Sequence, residues 1–105
     1  MTLTGKQRRA LRALGHHLDP LILVGKEGVT ASLTAAVEQA LVDHELIKLK
    51  VGENSPLDRH EVSEMLAEST GAEIAQVLGR TILLFRRNPE KPQVEVPGLP
   101  MPKPA

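Results

Sequence analysis

The chain has 105 residues, 13 Lys and Arg against 13 Asp and Glu, 41% hydrophobic residues, no cysteine and one aromatic, Phe85. That length suits one domain with one modest, aliphatic core. Zero net charge argues against a general polyanion binder, absent cysteines exclude disulfides, thiol catalysis and thiolate metal sites, and a lone phenylalanine excludes an aromatic stacking platform.

The first predicted helix runs from about Thr4 to His17. Thr4 is the N-cap and Gln7 stands three residues on, as in a capping box. Leu3, Leu11, Leu14 and Leu18 fall on one face at helical spacing, the predicted buried face. Arg8, Arg9, Arg12 and His16 fall on the other, with Lys6 at its margin. Pro20 leads into a short strand, about Leu21 to Val24. Then comes Gly25-Lys26-Glu27-Gly28, and Thr30 caps a second helix, about Ala31 to His44. Its predicted buried face is Leu33, Ala36, Val37, Ala40 and Leu41, with His44 packed near the helix end. A strand from about Leu46 to Val51 alternates Ile47, Leu49 and Val51 with Lys48 and Lys50. The third helix is predicted to start at a Ser55 cap with Pro56 in the first turn, and to run to about Ser69, before Gly71. Val62, Met65 and Leu66 should face inward, while Glu61, Glu64 and Glu68 line an acidic stripe. Two strands follow, about Glu73 to Leu78 and Thr81 to Arg86, joined by a Gly79-Arg80 hairpin turn. Residues 88–105 hold six of the eight prolines. Such a segment cannot form a helix or pair inside a sheet, and it reads as a largely disordered tail with little to offer a core.

The order α-β-α-β-α-β-β predicts an α/β (α+β, two-layer) fold with a mixed four-stranded sheet. Right-handed crossovers set the first three strands parallel, and the hairpin sets the fourth antiparallel. The domain should occupy residues 1–87, with 88–105 as the tail.

Function is suggested by charge placement. Lys6, Arg8, Arg9, Arg12 and Lys26 face only Asp19 within residues 1–26, and Arg80, Arg86 and Arg87 form a second acid-free group. Acids gather between Glu38 and Glu73. One anion-facing side and one acidic side follow. The Gly25–Gly28 loop joins a strand to a helix N-terminus, where unpaired N–H groups, the helix dipole and a lysine all favour a phosphate. It lacks the length and the Lys-Ser/Thr ending of a nucleotide-binding P-loop. By itself a four-residue Gly-x-x-Gly is more often only a tight strand-to-helix connection, since such loops are common in α/β folds.

The ordered set of segments is more specific. Leu3-Thr4-Gly5-Lys6-Gln7-Arg8, then Leu23-Val24-Gly25-Lys26-Glu27-Gly28-Val29-Thr30, then Glu38 to Leu41 and His44 to Lys50, then Thr70-Gly71-Ala72, Gln76 to Thr81 and Leu84-Phe85-Arg86 span residues 3–87. This chain resembles the bacterial YhbY-type proteins, built from one CRM (chloroplast RNA splicing and ribosome maturation) domain. The resemblance implies a fold similar to the C-terminal domain of translation initiation factor three. It also implies RNA binding, with bacterial members associated with large-subunit precursors. Its RNA contacts carry over to Gly25, Lys26 and Gly28, with Lys6, Arg8, Arg9 and Arg12. Phe85 stands where tyrosine is common, and Glu27 partly offsets Lys26.

Other readings compete residue by residue. Lys48 and Lys50 read equally well as solvent-side strand residues, whereas Arg80, Arg86 and Arg87 rank above them as RNA contacts. No His, Asp or Glu group has metal-ligand spacing, and no nucleophile accompanies the glutamate stripe, so neither a metal, a cofactor nor catalysis is expected. No apolar run approaches the roughly 20 residues of a membrane span, and no signal peptide is evident, which makes the cytoplasm the expected location. The expected partner is structured ribosomal RNA in large-subunit precursors, with no membrane or small-molecule substrate. The alternative is a protein-interaction module docking through its acidic face or proline-rich tail.

Overall fold

A computed structural model describes residues 3–99. The elements are α1 (Gly5–Gly15), β1 (Ile22–Val24), α2 (Ala31–His44), β2 (Leu46–Val51), α3 (Arg59–Thr70), β3 (Glu73–Leu78) and β4 (Thr81–Phe85). One sheet has the order β1-β2-β4-β3. β1 runs parallel to β2, and β4 is antiparallel to both of its neighbours. The first three strands therefore point the same way, as expected, with β4 inserted between β2 and β3. Gly79 opens the β3–β4 turn at φ 58°, a left-handed conformation that glycine takes without a Cβ penalty.

Helix starts follow local chemistry. Thr4 and Gln7 form the expected capping box on α1, with bonds of 3.1 and 2.9 Å. Thr30 accepts from the Leu33 N–H at 3.0 Å. At α3 the cap is Asp58 rather than Ser55, in a capping box with Glu61. Ser55 instead closes the preceding turn by accepting from the Leu57 N–H. The chain leaves α3 through Gly71 at φ 73°.

The sheet buries both faces, unequally. Val24, Ile47, Leu49, Val51, Ile82 and Leu84 meet Val37 and Leu41 of α2 and Val62 and Leu66 of α3. On the opposite face Leu46, Ala75, Leu83 and Phe85 meet Leu3, Leu11 and Val96. Helices α2 and α3 on the sheet make the expected two layers, and α1 covers part of the second face. Gly15 lets α1 approach closely, because a Cβ there would lie 2.7 Å from Leu83 methyl carbons. Several predicted core positions stand outside. Leu14 is 45% exposed, Leu18 37% and Met65 43%, and Ala36 and His44 are exposed too. Gln7 is buried in their place on α1. Its Nε2 donates to the Pro97 carbonyl at 2.9 Å, which satisfies a polar group that burial would otherwise penalise.

The segment expected to be a disordered tail takes a different arrangement up to Leu99. Val96 is buried, and Val94 and Leu99 pack against the α1 side of the core. This strap is fastened by Glu45, a fully buried residue at the α2–β2 corner. The Glu45 carboxylate accepts the backbone N–H groups of Asn88, Gln93 and Val94, together with the Arg87 guanidinium at 3.1 Å. Prolines forbid regular structure here, but an extended strap whose amides find a side-chain acceptor is allowed. The tail residues 100–105 lie outside the described residues. Ending the chain after Asn88 removes a buried valine and two of the amide bonds, and should lower unfolding free energy by about 2–4 kcal/mol. An unchanged urea midpoint would show that the strap adds nothing to the fold.

Two carboxyls tie stability to pH. Burial pushes the Glu45 carboxyl up, but the three amide bonds and Arg87 outweigh it, and the net shift is downward. The Asp58 carboxyl is also lowered, first by the Glu61 N–H it accepts. Because the folded pKa values are depressed, the unfolded chain takes up these protons first. Stability should be complete at neutral pH and decline as pH falls below about 4.5, the ordinary carboxylate range. Urea midpoints measured from pH 7 downward check this, and a profile level through pH 4 would contradict it.

Candidate nucleic-acid interface

The Gly25–Gly28 loop leaves the sheet end at which Val24 pairs with Val51. The Gly28 N–H donates to the Gly25 carbonyl at 3.0 Å, closing a turn. The two glycines serve different ends. Gly28 has φ 68° and is buried against Pro56, so the turn itself requires it. Gly25 has nothing within 4 Å of a Cβ position, so no contact inside the protein demands glycine there. An open site of that kind allows an external backbone to approach closely. Lys26 is exposed between them, with Glu27 exposed beside it. Beyond the loop, Thr30 takes the Leu33 donor, and the first amides of α2 keep no intrahelical acceptor.

Lys6, Arg8, Arg9, Arg12 and His16 are all exposed along α1. Among the described residues, no ion pair engages Lys6, Arg8, Arg9, Arg12 or Lys26. Their charge is therefore available to a ligand. Arg12 and His16 line a cleft with Lys48, Gln76, Leu78 and Thr81. A neighbouring cleft is lined by Leu21, Leu23, Lys50, Gly52 and Arg80. The Gly52 N–H donates to the Val24 carbonyl, so that second cleft ends where the Gly25–Gly28 loop begins. The two strand lysines, unresolved by alternation alone, thus stand between α1 and the loop.

The second basic group divides. Arg80 is exposed at the hairpin, 3.6 Å from Glu53. Arg86 pairs with Glu38 at 2.6 Å and donates to the Thr70 carbonyl at 2.8 Å. Arg87 holds Glu45, donates to the Val94 carbonyl and lies over the Phe85 ring, 5.5 Å from its centroid. Both are engaged within the fold, Arg87 with a buried partner and Arg86 in a partly exposed pair, unlike the cations of α1. In a linear reading they stand in an acid-free stretch, because their partners lie 48 and 42 residues away. Glu45 left no periodic signal at all.

The glutamates 61, 64 and 68 are exposed on α3, which packs on the opposite sheet face from α1. Among the described residues no group of three His, Cys, Asp or Glu is placed to hold a metal ion, and no helix is long and apolar enough to cross a membrane.

Comparison with known proteins adds to this geometry. The CRS1 / YhbY (CRM) domain profile matches residues 3–86. The probable RNA-binding protein YqeI of Bacillus subtilis is 40% identical over 95 residues, which is 90% of this chain and 99% of that protein. A probable RNA-binding protein of Methanocaldococcus jannaschii is 44% identical over 86 residues, covering 80% of this chain and 63% of its own. The solution structure of a hypothetical Staphylococcus aureus protein, for which RNA binding has been suggested, superposes with a TM-score of 0.77 at 38% identity. It covers 91% of this chain and all of the other.

Proposed function

Because this chain belongs to the CRS1 / YhbY (CRM) domain family, we propose that it is an RNA-binding protein that grips structured RNA by its phosphates and takes part in large-subunit ribosome assembly in the cytoplasm. The observation that carries the proposal is the set of exposed cations free of internal ion pairs: Lys6, Arg8, Arg9 and Arg12 on α1 and Lys26 in a loop whose first glycine faces open space. Phosphate capture needs donors and positive charge, both of which the loop and the α2 N-terminus supply. Helical RNA is recognised through its backbone and shape, which suits a protein without stacking aromatics. Arg80 belongs at the margin of this site, and the role is binding rather than catalysis. Docking of a protein partner through the strap is disfavoured, since residues 94–99 pack on their own domain.

Lys26→Glu reverses the charge nearest the captured phosphate and touches no core residue. It should weaken binding to a ribosomal RNA fragment about tenfold or more while the melting curve stays unchanged. Equal affinity in the folded variant would remove the loop from the site. Crosslinking in cells, followed by sequencing of the attached RNA, tests the assembly role. Large-subunit ribosomal RNA should dominate, and its absence would overturn that part.

A further inference from the structure

The second face of the sheet is only half covered. β-Register sets Leu23, Lys50, Thr81 and Leu78 in one row across all four strands, on the side of α1. Leu23 is 62% exposed and Leu78 66%, and Leu21 beside them is 55% exposed. The next row holds Lys48, Leu83 and Gln76, and α1 sits down on Leu83 there. The open part is thus a strip about 14 Å across, three inter-strand steps, with a leucine at each end and Lys50 and Thr81 between them. Its borders are Arg12 and His16 on one side and Arg80 on the other. Glu53 is the acid lining these clefts, and it already faces Arg80. Leu21 with Leu23 at one end and Leu78 at the other leave apolar surface open beside Lys48 and Lys50.

We propose that this strip binds an unpaired RNA segment running on from the structured RNA held at the loop. The inference rests on the RNA-binding reading above. The charge selects a polyanion: Lys48, Lys50 and Arg12 carry no internal ion pair among the described residues. The leucines select its unpaired form. A duplex offers phosphates and hydroxyls, which leucine cannot use, whereas splayed bases expose apolar faces. Leu23 and Leu78 contact those faces while Lys48 and Lys50 meet the phosphates. Apolar contact with base faces, without hydrogen bonds to base edges, makes the strip tolerant of base sequence. The strip ends at Gly52, bonded to Val24, so a strand leaving it reaches the Gly25–Gly28 loop directly.

The test uses two RNAs, a blunt hairpin and the same hairpin with an oligouridine extension. The unaltered protein should bind the extended hairpin about three- to tenfold more tightly. The double variant Leu23→Thr, Leu78→Thr keeps strand-forming residues at two exposed positions. It should lose the extension's gain and keep its affinity for the blunt hairpin. Lys48→Gln with Lys50→Gln should make the salt dependence for the extended RNA shallower by about 0.7 per lost contact. A blunt hairpin bound as tightly as the extended one overturns this inference alone. So does a threonine variant that keeps the gain, or one that weakens on both RNAs equally while folded. Failure of the unaltered protein to bind either RNA overturns the RNA reading and this inference with it. Crosslinks from the strip to an acidic protein, with no RNA gain, would assign the strip to that partner instead.

Discussion

Glu45→Ala should lower the melting temperature by about 12 °C or more and cost about 3–5 kcal/mol, the usual result of removing one partner of a buried ion pair. The reasons are local. Its carboxylate is the acceptor for three strap amides and for Arg87, so the three amides lose their acceptor and Arg87 its ion pair together. Glu45 also has φ 63°, the one non-glycine residue among those described with a positive value. Strain of that kind costs about 1–3 kcal/mol and persists only where neighbours over-determine it. Here the Glu45 N–H donates to Leu41 and its carbonyl accepts from Arg86, so the backbone is fixed on both sides. Two controls separate the contributions. Glu45→Gly relieves the strain but still loses the acceptor, so it should be less damaging than alanine. Arg87→Met removes the charge partner but leaves three amide bonds to the carboxylate, and should cost less than either. Urea midpoints rank the three, and an alanine variant within 1 kcal/mol of the parent would mean that the strap holds without its clasp.

That clasp marks the limit of what the chain discloses in linear form. Helix α2 and strands β2 and β3 are readable because their signals are local: a cap at Thr30, alternation over residues 47–51, and Gly71 and Gly79 at the two ends of β3. Reading fails where the deciding partner is distant. Leu14 and Leu18 carry the helical spacing of a buried face, yet the buried side of α1 joins Leu11 to Gln7 and Gly15. Gln7 is polar, and only the far carbonyl of Pro97 makes its burial acceptable. Arg86 and Arg87 have the same look in sequence as Arg8 and Arg9, and the difference lies in whether an acid from α2 or its end reaches them. The candidate loop was legible as a motif, but the distinct roles of its two glycines needed the backbone angle and the empty space beside Gly25.

The α1 cations supply the second large effect. Replacing Arg8, Arg9 and Arg12 together by Gln should weaken RNA binding most at low salt. Each phosphate contact contributes roughly 0.7–0.9 to the slope of log affinity against log salt. Three lost contacts reduce that slope by about 2–2.7. Between 50 and 200 mM salt, the gap between parent and variant should then shrink by roughly 20- to 40-fold. Stability should change little, because all three side chains are exposed and none is in an internal ion pair among the described residues. Loss of Arg12 from the last turn of α1 costs at most about 1 kcal/mol through the helix dipole. The matching control is Glu61, Glu64 and Glu68 to Gln on α3. That helix lies across the sheet from α1, and at such a distance salt screens most of its repulsion. Affinity should rise slightly and the salt slope stay as it was. A slope untouched by the arginine variant, or a folded glutamine variant that no longer binds RNA, would move the interface from the α1 side of the sheet to the α3 side.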